Sequence, residues 1–159
     1  MKQFTHTTSS GKVNMVSISN KNKSIRTASA YGEVHVSGET FKLLKKNALK
    51  KGDVLTIAKI AGIQGAKRTS ELIPLCHNIL ISKIEISFKL VSKTSVVEIK
   101  SFAETNAETG IEMEALTAVS IAALTVYDMC KAVDKNITLS NIFLLSKTGG
   151  KSGSYYKSK

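Results

Sequence analysis

Residues 79–104 read ILISKIEISFKLVSKTSVVEIKSFAE, and residues 111–134 follow as IEMEALTAVSIAALTVYDMCKAVD. In the first stretch Ile84, Ile86, Phe88 and Leu90 alternate with polar residues. That period of two marks a strand with one buried face, placed at 79–90. Residues 94–104 form a second strand, and the short Ser/Lys/Thr link predicts a hairpin. The second stretch is apolar around most of a helix: Ala115, Leu116, Ala118, Val119, Ile121, Ala122, Ala123 and Leu124. A helix of that kind is buried, inside the domain or against another subunit.

Working outward, residues 13–18 and 25–36 read as strands, the latter ending in alternating Val34 and Val36. Residues 38–47 predict a short helix with Phe41, Leu44 and Ala48 on one side. Asp53 is placed to cap a helix over 54–72. That helix sets Val54, Ile57, Ala61 and Gln64 along one side, with Gly62 and Gly65 implying close backbone contact. Pro74 marks its end. Residues 137–145 give a last strand. The order β-β-α-α-β-β-α-β predicts an α+β sandwich, an antiparallel sheet with helices packed on one face. A single domain over 1–159 is expected, with loose tails at about 1–11 and 152–159.

The 159 residues are 42% hydrophobic, enough for a packed core. No apolar run approaches the ~18 residues that span a bilayer. The opening MKQFTHTTSSGK lacks the apolar segment of a signal peptide. Cys76 and Cys130 make no disulfide framework. The expectation is a soluble cytoplasmic domain with reduced thiols. The net charge is +11, with Arg26 and Arg68 the only arginines. Scarce arginine disfavours reading of guanine edges. Lysine binding to phosphate, on RNA or on a small polyanion, stays open.

Four segments carry chemistry. Leu75-Cys76-His77, after Pro74, lies where a helix gives way to a strand; there a histidine can move a proton or hold substrate. Adjacent Cys and His is poor spacing for zinc, so no metal site is expected. Glu112-Met113-Glu114 offers two carboxylates, either dipole partners of a helix start or acceptors for a guanidine-like ring edge. Asp128 and Lys131 are i,i+3 neighbours, either an ordinary surface pair or a tuned proton-transfer pair. Lys147 to Gly153, KTGGKSG, imitates a phosphate loop but has Leu145 at the leading glycine position and too little chain for the required helix. An ATPase is disfavoured. Lys51, Lys67 and Arg68 are further cations, each plausible as plain surface.

Taken together the segments 51–69 (KGDVLTIAKIAGIQGAKRT), 72–77 (LIPLCH), 109–118 (TGIEMEALTA), 124–133 (LTVYDMCKAV) and 144–153 (LLSKTGGKSG) resemble the MoaC family of molybdenum cofactor biosynthesis. The resemblance implies a ferredoxin-like fold and a homohexamer built as a trimer of dimers. It implies a lyase that rearranges a cyclic dihydroguanosine triphosphate to cyclic pyranopterin monophosphate, releasing diphosphate. By matching position, Lys51, Asp128 and Lys131 would be catalytic. Leu75, Cys76, His77, Met113 and Glu114 would bind substrate. Glu112, Arg26, Lys67 and Lys147 would line the pocket, the cations serving the phosphates. No cofactor is required, although Mg²⁺ could ride on the triphosphate. Two departures from the family pattern are Ser17, after Met15-Val16, and Asn78, after Cys76-His77. The rival is a non-enzymatic basic RNA-binding domain, which the 6% aromatic content disfavours.

Spacing adds one expectation. Glu114 and Asp128 are fourteen residues apart. On one helix that is about 21 Å. One compact site would then need the 112–114 and 128–131 segments from different subunits.

Overall fold

The computed structural model describes residues 12–47, 49, 52–151 and 153–158. Lys51, Ala48 and the first eleven residues therefore lie outside the described residues. The elements run β1 (Ser24–His35), α1 (Gly38–Lys45), α2 (Val54–Lys67), α3 (Thr69–Leu72), β2 (Lys83–Val91), β3 (Val96–Ala107), α4 (Glu112–Cys130), β4 (Thr138–Thr148) and β5 (Tyr155–Tyr156).

The sheet order is β2-β3-β1-β4-β5. Every neighbouring pair is antiparallel. β1 and β3, the strands of the ferredoxin-like centre, pair over their full length from Ser24↔Ala107 to His35↔Val96. The expected hairpin is β2–β3, in register from Lys83↔Glu104 to Val91↔Val96. One sheet face carries Ala28, Ala30 and Val34 of β1 with Val97, Ile99 and Ala103 of β3, all buried. Small residues on β1 let α4 lie close over the sheet centre. The Ser101 hydroxyl donates to the Ala115 carbonyl at 2.7 Å and ties helix to sheet.

Helix α4 is long and apolar enough to cross a membrane by length and composition. No single unbroken apolar run announces that, because Ser, Thr and Glu interrupt it. Over half of it is buried inside the fold, where it serves as the core helix.

Three expectations change. Residues 13–18 are not a strand: Val13 sits in an isolated bridge and 14–18 are irregular. Their alternation finds no sheet edge, and Val16 and Ile18 wall a cleft instead. The buried side of α2 is Val54, Ala58, Gly62, Gly65 and Ala66, not the line through Ile57, Ala61 and Gln64. Close helix approach decides this. A Cβ on Gly62 would stand 2.7 Å from the Ala118 carbonyl oxygen of α4. The glycine side turns inward, and Ile57 and Ile60 are left 41% and 52% exposed. Finally, the tail expected to be loose after 152 holds a short strand, with Tyr155 and Tyr156 paired to Lys147 and Ser146.

Where the fold ends α4, Asp134 is buried and accepts from the backbone N–H of Ser37 at 2.6 Å and of Asn136 at 3.1 Å. Burial pushes its carboxyl up, but those donors pull harder and leave it below the usual carboxylate range.

Candidate functional site

The sheet end that carries the starts of β1 and α4 and the end of β4 opens into a cleft of about 630 Å³. Its cations are Lys21, Lys23, Arg26, Lys147 and Lys151, against Glu108 and Glu112. A smaller cleft of about 270 Å³ adjoins it, lined by Val16, Ile18, Leu75–His77 and Met113–Glu114. Lys21, Thr109, Gly110 and Glu112 line both clefts, so the two are confluent. One chamber is basic; the other is mixed, with apolar walls and carboxylates.

Local structure places each group. The turn at Glu108–Gly110 ends β3 and launches α4, which puts Glu112 in the first helical turn. Its Oε1 accepts from Lys147 Nζ at 2.7 Å. Both side chains are about a quarter to a third exposed. Glu114 is 4% exposed. Burial, then the nearby Glu112 carboxylate, pushes its carboxyl up to about 7, with only its own backbone N–H opposing. Burial and then the Glu114 charge also push the Cys76 thiol up, so this cysteine is not an activated thiolate. The turn Ile73–Cys76, closed by the Cys76 N–H on the Ile73 carbonyl at 3.0 Å, brings Leu75, Cys76 and His77 to this wall.

Arg26 holds the floor of the basic cleft. Its Nε donates to the Ala107 carbonyl at 2.8 Å and its Nη2 to the Glu108 carbonyl at 3.1 Å. Two faces of the guanidinium fork are thus spent on protein carbonyls, which fixes the turn that aims Glu112. The backbone at Gly149 and Gly150 has φ of +88° and +76°. A Cβ on Gly150 would collide with Arg26 Nη1. The loop that resembled a phosphate loop leads to β5, not to a helix, so the P-loop geometry is absent. Gly150→Ala is expected to displace the guanidinium and to add about 1–2 kcal/mol of left-handed strain. A fall in both melting temperature and turnover is the expected outcome, and wild-type values in both would contradict it.

Asp128 and Lys131 stand at the far end of α4. Asp128 Oδ1 and Lys131 Nζ are 2.7 Å apart, with side chains 61% and 53% exposed. The pair is on the surface of the single chain, not partly buried as a proton-transfer pair would need. The Asp128 hydrogen bond, then its charge, raises the Lys131 ammonium above the usual lysine range. The single chain thus shows the ordinary surface pair rather than a desolvated one. Neither residue lines either cleft, and neither does Lys67, exposed at the end of α2. The fold therefore gathers Arg26, Leu75, Cys76, His77, Glu112, Met113, Glu114 and Lys147, and holds Asp128 about 21 Å and Lys131 about 25 Å along the helix from Glu114. Lys21 and Lys23 have no signal in the sequence, whereas Lys151 belongs to the KTGGKSG segment already singled out. Lysines in polar loops carry no periodic signal, and only the folded chain shows which ones share a wall.

The MoaC family model matches residues 15–150. The cyclic pyranopterin monophosphate synthase of Peptoclostridium acidaminophilum is 52% identical over 96% of both chains. That of Clostridium acetobutylicum is 50% identical over 96% of this chain and 94% of its own. A de novo designed protein with a ferredoxin fold aligns over 74% of this chain and 83% of its own, at 12% identity and a TM-score of 0.37. Strand order, not that overlap, assigns the fold. A family match across the cleft-lining segments and half-identical relatives over nearly full length lead to one statement: the chain belongs to the MoaC family.

Proposed function

We propose that the chain is a cyclic pyranopterin monophosphate synthase, a lyase acting on a cyclic dihydroguanosine triphosphate in molybdenum cofactor biosynthesis. One observation carries this reading: a cation-lined cleft opens directly into a smaller chamber that presents two carboxylates. A substrate with a triphosphate at one end and an aminopyrimidine edge at the other matches that polarity. Lysine ammonium groups take the phosphates by charge-assisted hydrogen bonds. Glu112 or Glu114 accepts from the ring N–H donors. Lys51 and Lys131 are the acid and base for ring opening and closure, and Asp128 orients Lys131. Diphosphate departs with its charge held by lysines. Mg²⁺ on the triphosphate is compatible with these roles.

The reading includes a site finished by a neighbouring subunit. α4 runs unbroken from Glu112 to Cys130, so both of its ends can serve one pocket only across copies. Ile57, Ile60 and Leu124 leave an apolar helical face exposed, which suits a second copy. A cytoplasmic homohexamer, a trimer of dimers, is the assembly proposed. Nothing in the family or the relatives supports RNA binding. Incubating the purified chain with the cyclic triphosphate should yield diphosphate and the pyranopterin monophosphate. Absence of both would overturn the reading.

A further inference from the structure

We propose that Lys21 is the cation that serves the one phosphate the product keeps. The inference rests on the reaction proposed above and adds a division of labour among the cleft lysines. Among the described residues, four of the five cleft cations are committed or confined. Lys147 is held by Glu112 at 2.7 Å. Lys23 faces Glu108 at 4.0 Å. Arg26 gives two donors to backbone carbonyls. Lys151 lines the large cleft alone. Lys21 lines both clefts, and it has no ion-pair partner among the described residues. Its backbone is fixed, since its N–H closes a turn on the Ile18 carbonyl at 3.0 Å. The structure thus anchors the backbone and sets Lys21 on the wall that the two chambers share.

The junction corresponds to a definite atom of the substrate. Ring and triphosphate lie at opposite ends, so the phosphate nearest the sugar, the α-phosphate, falls between them. In the cyclisation a substrate hydroxyl oxygen attacks the α-phosphorus and forms a new P–O bond. The bond from that phosphorus to the oxygen bridging to the β-phosphate breaks, and its electron pair leaves with diphosphate. The hydroxyl proton passes to a basic group of the site and then to water. Negative charge redistributes over the non-bridging α-oxygens, where the Lys21 ammonium stabilises it. The α-phosphate stays in the product as the cyclic phosphodiester, whereas the groups held deeper in the basic cleft depart.

Lys21→Met keeps the stem and removes the charge. Turnover should fall roughly tenfold or more, the scale of one lost charge-assisted contact in the transition state. Affinity for the product should weaken by about fivefold or more, and affinity for inorganic diphosphate should stay within about twofold. Lys151→Met should do the reverse, losing diphosphate affinity and keeping product affinity. Lys21→Met turning over like wild type would overturn the assignment. Loss of diphosphate affinity in place of product affinity would do the same. If the wild-type chain makes no product, the reaction itself is wrong and this assignment goes with it. If wild type is active and only the Lys21 contrast fails, the reaction stands and the assignment alone is lost.

Discussion

Glu114→Gln is expected to make the unliganded protein more stable at pH 8 and to abolish product formation. The side chain is 4% exposed, and its carboxyl sits at about 7 against an ordinary 4.5. Burial is the main cause and the Glu112 carboxylate the second. The folded pKa lies above the unfolded value. Between the two, the folded chain holds a proton that the unfolded chain releases, so stability falls as pH rises. The contribution is complete below about pH 4.5 and is lost as pH passes through 7. The full span corresponds to about 3 kcal/mol. A buried glutamine carries its own desolvation cost, so the net gain should be about 1–3 kcal/mol at pH 8 and near zero at pH 4. Urea unfolding of both proteins across that range checks the slope. Activity should fall below detection, by more than roughly 10²-fold, because an amide offers one acceptor and an unwanted donor to a ring edge that presents only donors. A glutamine variant less stable than wild type at pH 8 would mean that Glu114 is satisfied by something other than burial. The cost in the resting state is intelligible as preparation: an under-partnered carboxylate gains most when a donor-rich ring arrives.

How much of this is legible in the residues depends on what each signal measures. The β2–β3 hairpin and α4 are plain because periodicity reports burial directly: Ile84, Ile86, Phe88 and Leu90 pack on the core, and of the apolar residues read onto α4 Leu124 is the exposed one. The buried side of α2 lies one residue over from its line of larger apolar residues, because the close contact that Gly62 and Gly65 imply is made with a backbone carbonyl and side chains of α4. Residues 13–18 alternate like a strand, but a strand needs an edge, and β1 already has β3 and β4 on its two sides. At the site, the segments around Leu75–His77 and Glu112–Glu114 line one cleft, a convergence that the resemblance implies and no local pattern encodes. The resemblance puts Arg26 at the pocket wall, and the structure finds it lining the basic cleft. Its bonds to the Ala107 and Glu108 carbonyls depend on where β3 ends, which no local pattern encodes. The Gly149-Gly150 step, suspected of holding an anion, makes room for that same guanidinium.

Mixing two inactive variants is expected to restore activity. Glu114→Gln disables the start of α4, and Lys131→Ala disables its end. Each should make no detectable product alone. The helix between them is continuous, and Asp128 and Lys131 are exposed and line neither cleft. A site that uses both ends must therefore take them from two copies. In a two-fold dimer each interface builds two equivalent sites. A dimer with one copy of each variant puts both lesions into one of its sites and leaves the other intact. Random reassortment of equal amounts makes half the dimers mixed, so about a quarter of the wild-type activity should return. The variants should be mixed under conditions that exchange subunits, or co-expressed with different tags and purified by both. The double variant Glu114→Gln/Lys131→Ala mixed with wild type is the control, since it too leaves intact sites only in defined proportion. Recovery near a quarter supports a shared site. No recovery despite proven exchange would place the whole site on one chain, and the roles given to Asp128 and Lys131 would then have to move to residues nearer Glu114.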